Sequence, residues 1–311
     1  MRAGIFESIA GNQRRTVVIV VGFVLVLGGL GYAIGELTQG GWPVAAGTTA
    51  FALLYVWWAY WFGDRAVLAM SGAHPVPRSE ETRLWDTVEG LSIAAGLPMP
   101  AIYLIEDSAP NAFATGRDAQ HASITVTRGL LTKMNRLELE GVIAHEMSHI
   151  RNMDIRLMML AALLVGVIAL LSDIILRNAR WGAYGMRRAR GKGAAIGALI
   201  ALVLAVLAPL AAAALQMALS RQREYLADAT GALLTRYPEG LASALEKIAA
   251  DPEPLEAATK ATAHMFIWNP LRDHGGALNS LFDTHPPVQE RIRRLREMAG
   301  TPQPTEAGAS R

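Results

Sequence analysis

The chain has 311 residues, 52% of them hydrophobic and only 18% charged. Its mean hydropathy of +0.25 argues against a single water-soluble globule. Lys and Arg number 29 against 27 Asp and Glu, a net charge of +2 that is too balanced to point to nucleic acid as a partner. The absence of cysteine excludes disulfide frameworks, thiol nucleophiles, iron–sulfur ligation and thiolate zinc sites, so any metal must be held by His and carboxylates.

Along the chain the apolar residues lie in blocks. Uncharged runs enclose 20 residues between Arg15 and Glu36, 27 between Glu36 and Asp64, 16 between Arg156 and Asp173, and 28 between Lys192 and Arg221. A helix needs roughly 20 apolar residues to cross the hydrocarbon layer, so the first, second and fourth blocks qualify and the third is marginal. Residues 1–63 are therefore expected to form two transmembrane helices joined by the turn Thr38 to Pro43. A cleavable signal peptide fits poorly, because the first run is too long and a second follows it closely. The turn has no Lys or Arg, whereas Arg2, Arg14 and Arg15 precede it and Arg65, Arg78 and Arg83 follow, which places both flanks in the cytoplasm. Trp42 at one end and Trp57, Trp58, Tyr60 and Trp61 at the other resemble interfacial aromatic belts.

Residues 64–154 read as water-compatible. Ser79 can cap a helix with Leu84, Val88, Leu91 and Ala95 on one face, ended by Gly96 and Pro98. Three short β-forming runs, 101–106, 111–116 and 122–127, predict a small antiparallel sheet. A long helix is expected from Leu137 to Asp154. Residues 155–219 then form a hydrophobic helical hairpin, transmembrane or membrane-embedded. Its loop carries Arg177, Arg180, Arg187, Arg188, Arg190 and Lys192, which a full crossing would put on the wrong side of the membrane. Residues 220–299 return to water-compatible composition, with helices around Leu241 to Ile248 and Val288 to Met298, and 300–311 form a loose tail.

The chemistry concentrates in His145-Glu146-Met147-Ser148-His149. Residues i and i+4 of a helix share a face, so both imidazoles can reach one ion while Glu146 flanks that face within reach of a water bound there. The bland alternative is a helix with two solvated histidines. A catalytic zinc takes three protein ligands and keeps a fourth position open. Position 155 is Ile, so a third His six residues past His149 is absent and the remaining ligand must come from elsewhere. Glu224, in Ser220 to Asp228 at the end of the fourth apolar block, is the best candidate. Asp228, one helical turn further, can accept from an imidazole and fix its ring. Without the zinc motif, pairing of these two carboxylates with Arg221 or Arg223 would be an equal reading. If His145, His149 and Glu224 share one ion, residues 154 and 220 must emerge on the same side of the membrane, which a hairpin between them satisfies.

These motifs, together with Asn152, Asp154 and Thr284-His285-Pro286-Pro287, resemble those of the HtpX family of bacterial membrane zinc metallopeptidases, relatives of the type I CAAX prenyl endopeptidases. The likeness runs through nearly the whole chain. It implies a mainly α membrane protein with a cytoplasmic gluzincin-type α+β peptidase domain made of 64–154 and 220–299. It also implies that Glu224 completes the zinc site, that Asn111 and His285 flank the bound peptide, and that Arg291 supports the metal-site carboxylate. From the residues themselves, His285 can donate to an oxyanion and Asn111 opens a candidate edge strand on which an extended peptide could pair. A plain loop residue and a plain turn residue are the competing readings.

The expected activity is hydrolysis of peptide bonds at one zinc ion, with Glu146 as general base. The resemblance implies misfolded or damaged membrane proteins as substrates, beside the lipid bilayer, and the expected location is the bacterial inner membrane, multi-pass, with the active site facing the cytoplasm. Two other functions compete. Processing of prenylated peptides would need more apolar blocks to enclose a chamber, and a non-catalytic zinc-bearing membrane adaptor would have no use for Glu146 and would close the fourth coordination position.

Overall fold

The computed structural model describes residues 2–185, 220–259, 261–268 and 286–300. The chain opens with two long antiparallel helices, α1 (Arg2–Thr38) and α2 (Trp42–Met70), joined where the sequence predicts a turn. They approach closely because the facing positions are small. A Cβ on Gly31 would lie 1.8 Å from Thr48 Oγ1, and one on Gly35 would lie 2.3 Å from the Gly41 carbonyl. The Thr48 and Thr49 hydroxyls donate back to Val44 and Ala45 carbonyls, so this small-residue seam buries no unmet donor there. Among the described residues one helical stretch, Ile9–Glu36, is long and apolar enough to cross a membrane, with a hydropathy of 2.6. In α2 the Trp, Tyr, Thr and Gly residues dilute the aliphatic ones.

After a two-residue strand β1 (His74–Pro75), helix α3 occupies Thr82–Ala95. It starts two residues later than Ser79 would set it, with Glu81 at the N-cap, and ends at Gly96 in the left-handed conformation (φ 66°). Strands β2 (Ala101–Ile105), β3 (Ala112–Gly116) and β4 (Ala122–Thr127) follow, then the short helix α4 (Arg128–Lys133). The sheet order is β1-β2-β4-β3. It is mixed rather than antiparallel as the sequence pattern predicts: β3 runs antiparallel to β4, but β2 and β4 are parallel, with Ile102 opposite Ile124. The physical reason is that β4, the most β-branched of the three strands, takes the interior position with a partner on each edge. The Ala- and Gly-containing β3 is left as an edge.

Helix α5 (Arg136–Arg151) begins with a reciprocal capping box between Asn135 and Glu138. It is buried along most of its length against β3, α7 (Arg221–Thr235) and α8 (Pro238–Ala250). The expected continuous helix to Asp154 is broken. Asn152 caps α5, Met153 adopts φ 58°, and α6 (Asp154–Gly185) departs in a new direction to pack on α1 and α2. Ile19, Phe23 and Leu27 of α1, Ala52 of α2 and Leu157 and Leu164 of α6 share one buried cluster. Helix α9 (Val288–Met298) packs on α8 and α7. Most of the second limb of the expected hairpin, the tail 300–311 apart from Gly300, and His285 lie outside the described residues.

Candidate active site

Two helices with a buried common face bring the candidate ligands together. On α5, His145 Nε2 and His149 Nε2 lie 3.1 Å apart. From α7, Glu224 Oε2 lies 3.7 Å from His145 Nε2 and Oε1 lies 3.6 Å from His149 Nε2. The close seating of α7 on α5 depends on Gly231, where a Cβ would come within 3.0 Å of the His145 backbone nitrogen. His145, His149 and Glu224, separated by as much as 79 positions in sequence, thus form a buried group whose ligand atoms all lie within 4.8 Å of one another.

Each imidazole is turned by its own carboxylate. His145 Nδ1 lies 3.0 Å from Asp228 Oδ1, and His149 Nδ1 lies 2.9 Å from Asp154 Oδ2. With Nδ1 donating to a carboxylate, both Nε2 atoms present lone pairs, facing each other at 3.1 Å and flanked by Glu224. Lone pairs and a carboxylate pointed at one spot need a cation there. The donor set, two imidazoles and one carboxylate with no thiolate, suits a single divalent metal ion with room for a further ligand.

The electrostatics agree. Burial alone would lower the pKa of His149, but the bond to Asp154 and the charges of Glu224, Asp154 and Glu146 outweigh it and lift the pKa to about 9. The local field therefore favours positive charge. His145 goes the other way: its burial, aided by Arg291 and His149, outweighs Asp228 and holds the imidazole in its neutral form. Glu146 is pushed up to about 7, chiefly by burial with a contribution from Glu224, against the opposing pull of His149, Arg291 and the Ala114 backbone. Its Oε2 is buried with no hydrogen-bond partner among the described residues. A carboxyl so placed is poised to exchange a proton near neutrality.

Arg291 on α9 braces the arrangement. Its guanidinium clasps Asp228 through Nε to Oδ2 at 2.9 Å and Nη2 to Oδ1 at 2.7 Å. Its Nη1 lies 3.7 Å from Glu224 Oε2 and donates to the Ile267 carbonyl at 3.1 Å. Burial raises the Asp228 carboxyl pKa, but Arg291 and His145 overcome it and hold the group below its ordinary range.

Of the residues singled out in the sequence, His145, Glu146, His149, Glu224, Asp228 and Arg291 come together. Asn111 stands at the entry to β3 with its amide engaged: Nδ2 donates to the Trp268 carbonyl at 3.0 Å, and Oδ1 accepts from the Trp268 nitrogen at 3.3 Å. Ile267 also donates to the Ala112 carbonyl at 2.9 Å, so residues 267 and 268 lie against the start of β3, the outer strand of the sheet. Sequence reasoning assigned no role to Asp154. It stands among the residues that carry the family resemblance, but five positions past His149 on a continuous helix it would point away from the imidazole.

The framework of a helix bearing H-E-x-x-H and a second helix supplying a glutamate defines a metallopeptidase. The model of peptidase family M48 matches residues 78–299. Proteins named Protease HtpX homolog are similar over nearly their full lengths. That of Thermoanaerobacter pseudethanolicus is 47% identical over 300 residues, covering 96% of this chain and 99% of the relative. That of Dictyoglomus thermophilum is 48% identical, with 94% of each chain covered. That of Listeria monocytogenes serovar 1/2a is 44% identical, covering 94% of this chain and all of its own. Among solved structures, Ste24p of S. mikatae aligns with a TM-score of 0.47 and 19% identity, covering 94% of this chain and 67% of that one. The chain belongs to peptidase family M48 and is a metalloprotease.

Proposed function

We propose that the protein is a zinc endopeptidase of the bacterial inner membrane that cuts misfolded or damaged membrane proteins at the cytoplasmic face. The carrying observation is the meeting of His145, His149 and Glu224 with both Nε2 lone pairs turned inward. Residues 1–63 serve as two membrane helices, 64–154 with 220–299 as the peptidase domain, and 155–219 as a hydrophobic hairpin, transmembrane or membrane-embedded. This arrangement is supported by the apolar stretch Ile9–Glu36 and by the lack of cations in the turn between α1 and α2.

His145, His149 and Glu224 would hold the zinc. When bound, zinc supplies Lewis-acid polarisation of the scissile carbonyl and acidifies the attacking water. Glu146 takes a proton from that water and delivers it to the leaving amine nitrogen, a role suited to a carboxyl with a pKa near 7. Asp228 and Asp154 hold the two imidazoles in the tautomer that leaves Nε2 free to ligate. Arg291 keeps Asp228 charged. An extended peptide lies along the edge of β3 beyond Ala112, with Asn111 holding residues 267 and 268 beside it, and His285 donates to the oxyanion.

The test is digestion of a membrane-protein substrate by the detergent-purified chain. Cleavage should stop with chelator, return with Zn2+, and be absent in Glu146→Gln, while elemental analysis finds the mutant still holding one zinc. Undiminished cleavage by Glu146→Gln would remove the assigned base.

A further inference from the structure

The N-terminal helix reaches into the metal centre. Asn12, on α1 within the apolar stretch Ile9–Glu36, is 1% exposed. Its Nδ2 donates to the Asn152 carbonyl at 3.1 Å and to Asp154 Oδ1. Its Oδ1 accepts from Arg223 Nη1 at 3.1 Å. The other oxygen of the same carboxylate, Asp154 Oδ2, is the one that holds His149 Nδ1. Arg223 also reaches Asp154 Oδ1 at 3.7 Å and immediately precedes Glu224. One amide therefore joins α1 to the carboxylate behind one candidate ligand and to the residue next to another.

The chemistry of the position asks for an amide. A side chain of this size must donate to a carboxylate and a carbonyl while accepting from a guanidinium, which an amide does and a carboxylate or an aliphatic group does not. The site is also conformationally demanding. Asn152 and Asp154 flank Met153, whose φ of 58° ends α5 and redirects the chain into α6. Tying the Asn152 carbonyl and Asp154 Oδ1 to one nitrogen fixes that turn, and with it the direction from which Asp154 meets His149.

We infer that Asn12 is a positioning residue of the metal centre, holding Asp154 so that His149 presents Nε2 to the metal, and that this amide on α1 thereby sets metal affinity. The inference rests on the zinc reading above. It also means that residues 78–299, the span matched by the family model, do not contain the whole site.

The test uses the full-length chain in detergent, loaded with Zn2+, and measures zinc affinity by competition with a chromogenic chelator alongside thermal unfolding. Partners behind a ligating His are typically worth roughly 10- to 100-fold in metal affinity, and Asn12 stands one bond further out, so Asn12→Ala should weaken zinc binding about tenfold. Asn12→Asp keeps the shape but replaces the donor with a second carboxylate beside Asp154, and should lose at least as much. Phe23→Ala, in the apolar cluster of α1 with α2 and α6, should lower the melting temperature yet leave zinc affinity within about twofold. If Asn12→Ala does not accumulate folded, Asn12→Ser, which keeps one donor and one acceptor, should show an intermediate loss.

Wild-type zinc affinity in the folded Asn12 variants would overturn the inference while leaving the zinc reading intact. An equal zinc loss in Phe23→Ala would also overturn it, by making docking of the helix, not the amide, the cause. A wild-type chain that binds no zinc would remove both.

Discussion

The guanidinium of Arg291 and the carboxylate of Asp228 meet through two parallel hydrogen bonds, 2.9 Å from Nε and 2.7 Å from Nη2. Both groups are buried, and Asp228 in turn holds His145. A charge pair removed from water contributes little net stability, but removing one member strands the other. Arg291→Ala should therefore cost about 3–5 kcal/mol of stability, read by chemical denaturation, because Asp228 would be left charged and buried without its clasp. Arg291→Lys keeps the charge but not the fork, and should recover only part of the loss. A wild-type denaturation midpoint for Arg291→Ala would show that the pair carries no such burden.

The two histidines have separate carboxylate supports, so their losses can be compared. Asp228→Asn and Asp154→Asn are each expected to weaken zinc retention by roughly 10- to 100-fold, read by chelator titration. Asp228→Asn should also loosen Arg291 and lower stability, while the Asp154→Asn defect should depend on Asn12, since the two side chains share a hydrogen bond. Combining Asp154→Asn with Asn12→Ala should thus cost less than the two single losses added together. Strict additivity would contradict a shared pathway.

These contrasts mark what a reader of the sequence can and cannot see. His145 and His149 are legible because one helical turn separates them, and Glu224 and Asp228 repeat that spacing on a second helix. Asp154 is hidden because its role requires the left-handed Met153, a backbone choice that no residue type announces. Asn12 is hidden because 142 positions separate it from Asp154 and its stretch reads only as a membrane span. The parallel pairing of β2 with β4 is hidden for a related reason. Three short runs in succession suggest a meander, whereas the hydrogen-bonded pairing places β4 between β2 and β3. The occupied amide of Asn111 depends on Trp268, whose position follows from the tertiary fold.

A pH effect is expected away from the metal. Burial would raise the Glu138 carboxyl, but bonds from Lys247, Ser243 and the Asn135 backbone outweigh it and hold its pKa below the ordinary 4.5. A depressed folded-state pKa means that Glu138 contributes stability above its unfolded pKa and loses that contribution as pH falls through the folded value. Glu138→Gln should therefore be less stable than wild type at neutral pH, and the gap should close on acidification below about pH 4. Thermal unfolding across that range reads it. A gap independent of pH would assign the difference to packing and not to ionisation.

Gly141 offers a test in which two effects oppose each other. In the middle of a helix, Gly→Ala ordinarily stabilises by about 1 kcal/mol, because glycine gives up the most backbone freedom on folding. Here α8 crosses so closely that a Cβ on residue 141 would lie 2.5 Å from the Leu241 nitrogen and 2.8 Å from its Cα. The obstruction is backbone, so no rotamer change relieves it, and α5 and α8 would have to part. Overpacking of this kind costs typically about 1–3 kcal/mol or more, which outweighs the propensity gain. Gly141→Ala should therefore lower the melting temperature. Because α5 carries both histidines, it should also reduce zinc affinity. Gly90, where an added Cβ meets nothing within 4 Å, is the matched control on helix α3. Gly90→Ala should raise the melting temperature, and a rise in both variants would show that α8 yields to the added methyl.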